Sequence, residues 1–232
     1  MTSPRTEFTA EEINALLYEL GERLGQRGVA ASIFVVGGAA IAANHAQRGR
    51  VTEDVDALTD ESVVFEEART LARERGLPEN WLNRNAGMWM PPLPAGVLDR
   101  PAAPGLRVTY ADDGFLLATK LIAQRAKDAD DVVLLAGRLG LAAASPEQLE
   151  AHIRSYYTDP GTLEFIIDGN DVDREINLLA QDASRLLQRK AREVTQGRGH
   201  RPTERPARPT GLERQRPPPE LDDRSPGRTL EL

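Results

Sequence analysis

Two aspartates stand two residues apart in the stretch Arg50-Val51-Thr52-Glu53-Asp54-Val55-Asp56-Ala57-Leu58. In an extended chain residues two apart point to the same face, so the spacing sets the carboxylates of Asp54 and Asp56 side by side. Two such charges about 4 Å apart repel by roughly 4 kcal/mol at an effective dielectric of 20, which calls for a counter-ion. Mg²⁺ suits the pair, because it takes one or two carboxylates and completes its octahedron with phosphate oxygens and waters. Upstream, the apolar run Ser32-Ile33-Phe34-Val35-Val36 ends in Gly37-Gly38. Residues without side chains let backbone N–H groups and a helix N-terminus approach a triphosphate. Taken singly, a Gly-Gly pair is usually a tight turn and an Asp-x-Asp the wet face of an edge strand. Their order, strand, Gly-Gly, helix, strand with Asp-x-Asp, is far more restrictive.

The elements that must position these residues are legible from pattern. Thr9-Ala10-Glu11-Glu12 is a capping box, followed by Ile13, Leu16, Leu17, Leu20 and Leu24 at helical steps until Gly28. The β-branched run 32–36 predicts a buried strand, the alanine-rich 39–46 a helix, and the alternation over 53–58 a second strand. A helix is expected over 61–75, stopped by Gly76 and Pro78, and a third strand over 106–110. The segment 112–139 reads as two helices broken around Lys127-Asp128-Ala129-Asp130-Asp131, with Asp128 capping the second. Ser145-Pro146-Glu147-Gln148 starts another helix, and helical pattern continues to about Lys190 with a break around 158–161. The fold class expected is α+β: a small mixed sheet flanked by helices, a domain over 1–142, a C-terminal helical segment over 143–196 and a Pro/Arg-rich tail over 197–232 that reads as disordered.

Composition narrows the function. The chain has no cysteine, so thiolate metal sites, disulfides and thiol nucleophiles are excluded. The start of the chain does not read as a signal peptide, and the most apolar stretch, 29–43, is too short and interrupted for a membrane span. A cytoplasmic protein with no membrane partner is expected. The net charge is -7, and the tail over 197–232 is itself net positive, so the remainder is more acidic still. A polyanion would therefore need a local basic site. His45, His152 and His200 lack metal-ligand spacing. Trp81, Met88, Trp89 and Met90 read as core packing, and Asp168, Asp171 and Asp173 as structural acids at the start of the last helix.

The pattern apolar-Gly-Gly, spacer, Asp54-Val55-Asp56-Ala57-Leu58 resembles the signature of the DNA polymerase β-type nucleotidyltransferase superfamily. Arg50-Val51-Thr52-Glu53 and the segment Gly76-Leu77-Pro78-Glu79-Asn80-Trp81-Leu82-Asn83 bring it closest to the AbiEii-like branch, which includes MenT-type toxins. The resemblance covers 33–139, extending through Phe115-Leu116-Leu117-Ala118-Thr119-Lys120 and Arg125-Ala126-Lys127-Asp128-Ala129-Asp130-Asp131. It implies a nucleotidyltransferase fold and Mg²⁺-dependent transfer of a nucleoside monophosphate from an NTP. Asp54 and Asp56 would be metal ligands, Gly37, Gly38 and Thr52 would lie at the nucleotide, and Lys120 would meet its phosphates. Asp131 would orient that lysine or the acceptor, and Arg125 would add positive charge. By the same resemblance the acceptor is an RNA, such as a tRNA end, or a protein side chain, with a cognate antitoxin as partner.

Two features depart from the pattern. Many members carry a third metal-binding carboxylate on the next strand, and Leu106-Arg107-Val108-Thr109-Tyr110 offers none. Gly38 stands where active transferases often have serine. These departures support a competing reading, a non-catalytic module that keeps the fold and binds a nucleotide. For Lys120, Gln124, Lys127 and Asp131 a wet helical stripe is an open alternative.

Overall fold

The computed structural model describes residues 7–167 and 171–199. A short strand, β1 (Phe8–Thr9), leads into α1 (Ala10–Gln26). The Thr9 hydroxyl accepts from the Glu12 N–H, and the Glu12 carboxylate accepts from the Thr9 N–H, so the expected capping box is formed. Ile13, Leu17, Leu20 and Leu24 are buried along one face.

The chain then builds β2 (Ala30–Val35), α2 (Gly37–Asn44), β3 (Val51–Thr52), β4 (Val55–Leu58), α3 (Val63–Arg75), β5 (Leu82–Asn83) and β6 (Gly105–Tyr110). Its second half is helical: α4 (Asp113–Ala123), α5 (Ala129–Arg138), α6 (Pro146–Tyr156), α7 (Pro160–Ile166) and α8 (Val172–Gly199). The main sheet has the order β5-β4-β2-β6, with β2 antiparallel to β4 and parallel to β6, and β4 parallel to β5. The fold is therefore mixed helix and sheet, with a small mixed sheet between helices. Apolar side chains of α6 and α8, including Ile153, Ile176 and Leu187, belong to the same core as Phe115 and Leu116 of α4.

Paired residues share a face of a sheet, so register divides the side chains cleanly. Ala57, Val35 and Tyr110 lie on one face, toward α1, where Gly21 lets the helix approach Leu106 and the Tyr110 hydroxyl donates to Asn14. The other face carries Asn83, Asp56, Leu58, Phe34, Thr109, Ser32 and Arg107. The segment between β5 and β6 is fastened across this second face. Arg107 Nη2 donates to the carbonyls of Gly96 at 3.0 Å and Asp99 at 2.5 Å, and Ser32 Oγ donates to Asp99 O at 2.7 Å.

Several boundaries differ from expectation for local reasons. The helix expected over 39–46 starts at Gly37, because Gly37 itself turns the corner at φ 64°. The strand expected over 53–58 is split: Val51–Thr52 pairs with β1, Glu53 and Asp54 form a kink, and β4 begins at Val55. The pair Leu82–Asn83 was too short to be read as a strand, yet it flanks β4 on the side away from β2. The expected break within 112–139 is present, and it turns at Gln124 in the left-handed region, φ 42°. Trp81 is a fully buried core residue whose indole Nε1 donates to Ala68 O at 3.0 Å. Met88 and Trp89 are instead 63% and 46% exposed, which corrects their reading as core. Asp171 caps α8 by accepting from the Arg174 N–H, and Asp173 pairs with Arg154 at 2.7 Å, both structural as expected. Asp168, His200 and the tail beyond 199 lie outside the described residues. No helix among the described residues is long and apolar enough to cross a membrane.

Trp81→Ala removes a fully buried indole and the hydrogen bond it donates to the Ala68 carbonyl. It is expected to cost about 3–5 kcal/mol, read as a lower urea midpoint with unchanged slope.

Candidate functional site

Asp56 projects from β4 toward the bend between β2 and α2. Its backbone carbonyl accepts from the Val36 N–H at 2.9 Å, which ties β4 to the residue preceding the glycines. A Cβ added at Gly37 would lie 3.1 Å from Asp56 Oδ2, and Gly37 sits at positive φ as well. Both facts require glycine at this position. A Cβ at Gly38 would lie 2.8 Å from Thr52 Oγ1 and 3.4 Å from Arg50 Nη2. The Thr52 hydroxyl thus fills the space a serine at position 38 would need, and it donates to Asp54 O at 3.1 Å. Val36, the N-cap of α2, offers no capping side chain. The first N–H groups of the helix are therefore open to an anion.

Asp54 lies in the kink before β4, not within the strand, so the same-face argument does not apply to it directly. It is brought to the site by Asn83, whose amide Nδ2 donates to Asp54 Oδ2 at 2.9 Å. Asn83 is itself held, its Oδ1 accepting from the Asn85 N–H at 2.9 Å. Asp56 and Asn83 are register partners across β4 and β5. Asp56 has its carboxyl pushed up to about 6, first by burial and next by the charge of Asp54. Arg125, the Ala86 N–H and Lys120 pull in the other direction and do not overcome this. The two acids do crowd one another.

Lys120 and Asp131, expected at the site, are joined in a buried ionic network. Lys120 Nζ lies 2.5 Å from Asp128 Oδ1 and 3.2 Å from Asp131 Oδ2, and Arg50 Nη1 lies 2.7 Å from Asp131 Oδ1. Lys120, Asp128 and Asp131 are only 9%, 5% and 3% exposed, so the wet-stripe alternative is wrong for this lysine and this aspartate. Asp128 does not cap α5 with its side chain; its carboxylate is turned back to Lys120. With two carboxylates on its ammonium, Lys120 orients Asp131 as much as Asp131 orients it. Arg50 Nε is buried with no hydrogen-bond partner, and Asp131 Oδ2 faces the Lys120 ammonium as an ion pair without an aligned hydrogen bond, which leaves donor and acceptor capacity in the network. Arg125 is exposed, yet its charge reaches Asp56. Gln124 leaves the network, its Nε2 donating to Leu179 O.

Three contributors were not foreseen from sequence. Arg50 stood in the motif without a role, Asn83 in a segment noted only for its likeness, and Asp128 only as a cap. The third strand expected from sequence, β6, borders β2 and not β4. β4 lies between β2 and β5, and β5 presents Asn83 beside Asp56. No group of three His, Cys, Asp or Glu side chains able to hold a metal is found among the described residues. Two carboxylates crowded by like charge nevertheless suit one Mg²⁺ completed by phosphates and water, while the Asn83 amide turns its NH2 and not its oxygen to Asp54. His45 and His152 stand apart from it, paired respectively with Asp113 at 2.8 Å and with Gly114 O at 3.0 Å. Comparison with protein-family models, with curated proteins and with solved structures returned no match.

The raised carboxyl of Asp56 binds its proton more tightly in the folded state than in the unfolded chain. Its contribution to stability is full below about pH 4 and is lost as pH rises through about 6. Asp56→Asn should abolish that slope and be the more stable protein above pH 7, by on the order of 2 kcal/mol once partial exposure is discounted. Urea melts at pH 4, 6 and 8 check the sign. Lys120→Met strands Asp128 in the interior and leaves Asp131 with Arg50 alone, and it should cost about 3 kcal/mol or more at neutral pH by the same assay.

Proposed function

We propose that this chain is a Mg²⁺-dependent nucleotidyltransferase that moves a nucleoside monophosphate from an NTP to an acceptor and releases pyrophosphate. The observation that carries the reading is the close approach of the Asp56 carboxylate to the Gly37 turn, with Asp54 crowding it. Metal ligands and a phosphate-accepting helix start then share one pocket. Asp54 and Asp56 would hold the cation, which when bound offsets charge on the phosphate oxygens.

The chain's own residues do the positioning on which such transfer mostly depends. The first N–H groups of α2 orient phosphate oxygens, and Gly37 and Gly38 keep the approach free of side chains. Arg50, beside Gly38 and Thr52, and Arg125, in electrostatic reach of Asp56, place positive charge at the triphosphate. A planar guanidinium with free donors suits phosphate recognition. Lys120 is a positioning residue, locking Asp131 and through it Arg50. In the transfer an acceptor oxygen bonds to the α-phosphorus and the bond to the leaving pyrophosphate oxygen breaks. The acceptor's proton passes to water. An RNA end or a protein side chain is the acceptor this reading entails, and a toxin with a cognate antitoxin is the setting; the acidic balance of the chain disfavours an extended polyanion.

Asn83, standing where a third acid would stand beside Asp56, favours a second reading, a nucleotide-binding module without transfer. Incubation with each α-labelled NTP, Mg²⁺, the protein and added RNA separates the two. The transferase reading expects label on RNA or protein with the natural sequence, reduced at least a hundredfold in Asp54→Ala plus Asp56→Ala. Retained nucleotide with no labelled acceptor would instead establish the module.

A further inference from the structure

Beside the site, on the same face of the sheet, a cavity of about 450 Å³ opens between the sheet, α4, α6 and the segment that joins β5 to β6. Phe34 lines it, and Phe34 is the register partner of Leu58, which lies two residues along β4 from Asp56. Strand spacing and rise put the backbones of Phe34 and Asp56 about 8 Å apart across one face. That separation is of the order a ribose spans between a base and its α-phosphate.

The cavity is built before any ligand arrives. Pro92, Pro94 and Val97 roof it, and their segment is fastened to the sheet by Arg107 and Ser32 through the carbonyls of Gly96, Val97 and Asp99. Phe34, Phe115 and Tyr156 meet edge to face, with ring centroids 5.2 and 6.1 Å apart and interplanar angles of 89°. Gly114 makes room for Tyr156, since a Cβ there would overlap the phenol oxygen. Prolines in the roof and edge-to-face rings in the wall give the cavity apolar surfaces, and Thr109, Asp112, Ser155 and Thr158 add polar groups to its lining. Flat heteroaromatic rings stack well on such surfaces.

From this placement we infer that the cavity is the nucleobase subsite of the proposed nucleotide site. The inference rests on the nucleotidyltransferase reading and adds where the base sits. The triphosphate lies at Gly37, Gly38 and Asp56, and the base enters beneath the Pro92–Val97 roof against Tyr156, at the edge of the buried Phe34. A ring gains contact from these walls, and a chain of phosphates alone gains nothing from them.

Titration calorimetry of the full chain with Mg²⁺ and either each NTP or inorganic tripolyphosphate tests the subsite. Two variants fill the cavity from opposite sides, Ser155→Trp from α6 and Val97→Trp from the roof. The natural sequence is expected to bind at least one NTP about tenfold more tightly than tripolyphosphate. Each variant should bring that NTP down to the tripolyphosphate level and leave tripolyphosphate affinity unchanged, which also shows that the variant is folded. Unchanged NTP preference in both variants overturns the subsite, as does natural protein that binds tripolyphosphate as tightly as every NTP. Binding of neither ligand to the natural protein is a different result: it overturns the transferase reading, and the base subsite with it.

Discussion

Asp56 and position 37 compete for the same few ångströms. A carboxylate oxygen lies where any side chain on residue 37 would press, and the backbone there turns at positive φ. Glycine meets both demands at once. Given that solution, α2 can start directly off β2, its N-terminus faces β4, and the Asp56 carbonyl can close onto the Val36 N–H. The sheet order and the acidic pair then stand in a fixed relation to an uncapped helix start. A bulkier residue at 37 would have to move either the helix or the aspartate, and with it the pocket.

The ionic network behind the pocket has a different task. Arg50, Asp131, Lys120 and Asp128 come from the loop before β3, from α4 and from the start of α5, and their charges balance two against two. Burying such groups is expensive unless each is paired. This set is nearly complete, and so it fixes how the helical half meets the sheet more than it adds net stability. Because the cations are consumed internally, they leave the Asp54 and Asp56 pair short of compensation. The high Asp56 carboxyl follows first from burial and next from the charge of Asp54, which Arg125 and Lys120 offset only in part. On the proposed reading, an acidic pair in this condition next to open N–H groups would take a cation and an anion together, as a metal–nucleotide complex presents them.

Much of this was legible in the sequence wherever the physics is local. The two capping boxes, the buried faces of α1 and α3, the central apolar strand and the Gly-Gly bend all follow from spacing and residue type. The gathering of Asp54 with Asp56 was right for a partly wrong reason: Asp54 sits in a kink and is drawn in by Asn83, a contact across 29 positions that no periodicity encodes. Lys120, expected to meet phosphates, is instead buried against Asp128 and Asp131. Asp128 reads as a cap from sequence, because both roles ask for an aspartate at the start of a helix and only tertiary approach tells them apart. The two-residue β5 carries too little pattern to be read as a strand, so 106–110 reads as the next strand after the acidic one. Short strands whose identity comes from pairing, and ion pairs between separate helices, are what a single sequence hides.

The central claim is that the Asp54 and Asp56 carboxylates grip one divalent ion in company with a nucleotide. Mn²⁺, a paramagnetic stand-in for Mg²⁺, reports this directly through its electron paramagnetic resonance signal. With an NTP present, the natural chain is expected to immobilise one Mn²⁺, to release it as Mg²⁺ is added, and to lose it in Asp56→Asn. An ion held equally well by the Asp56→Asn chain, or no ion held by the natural chain at any NTP concentration, would contradict the account.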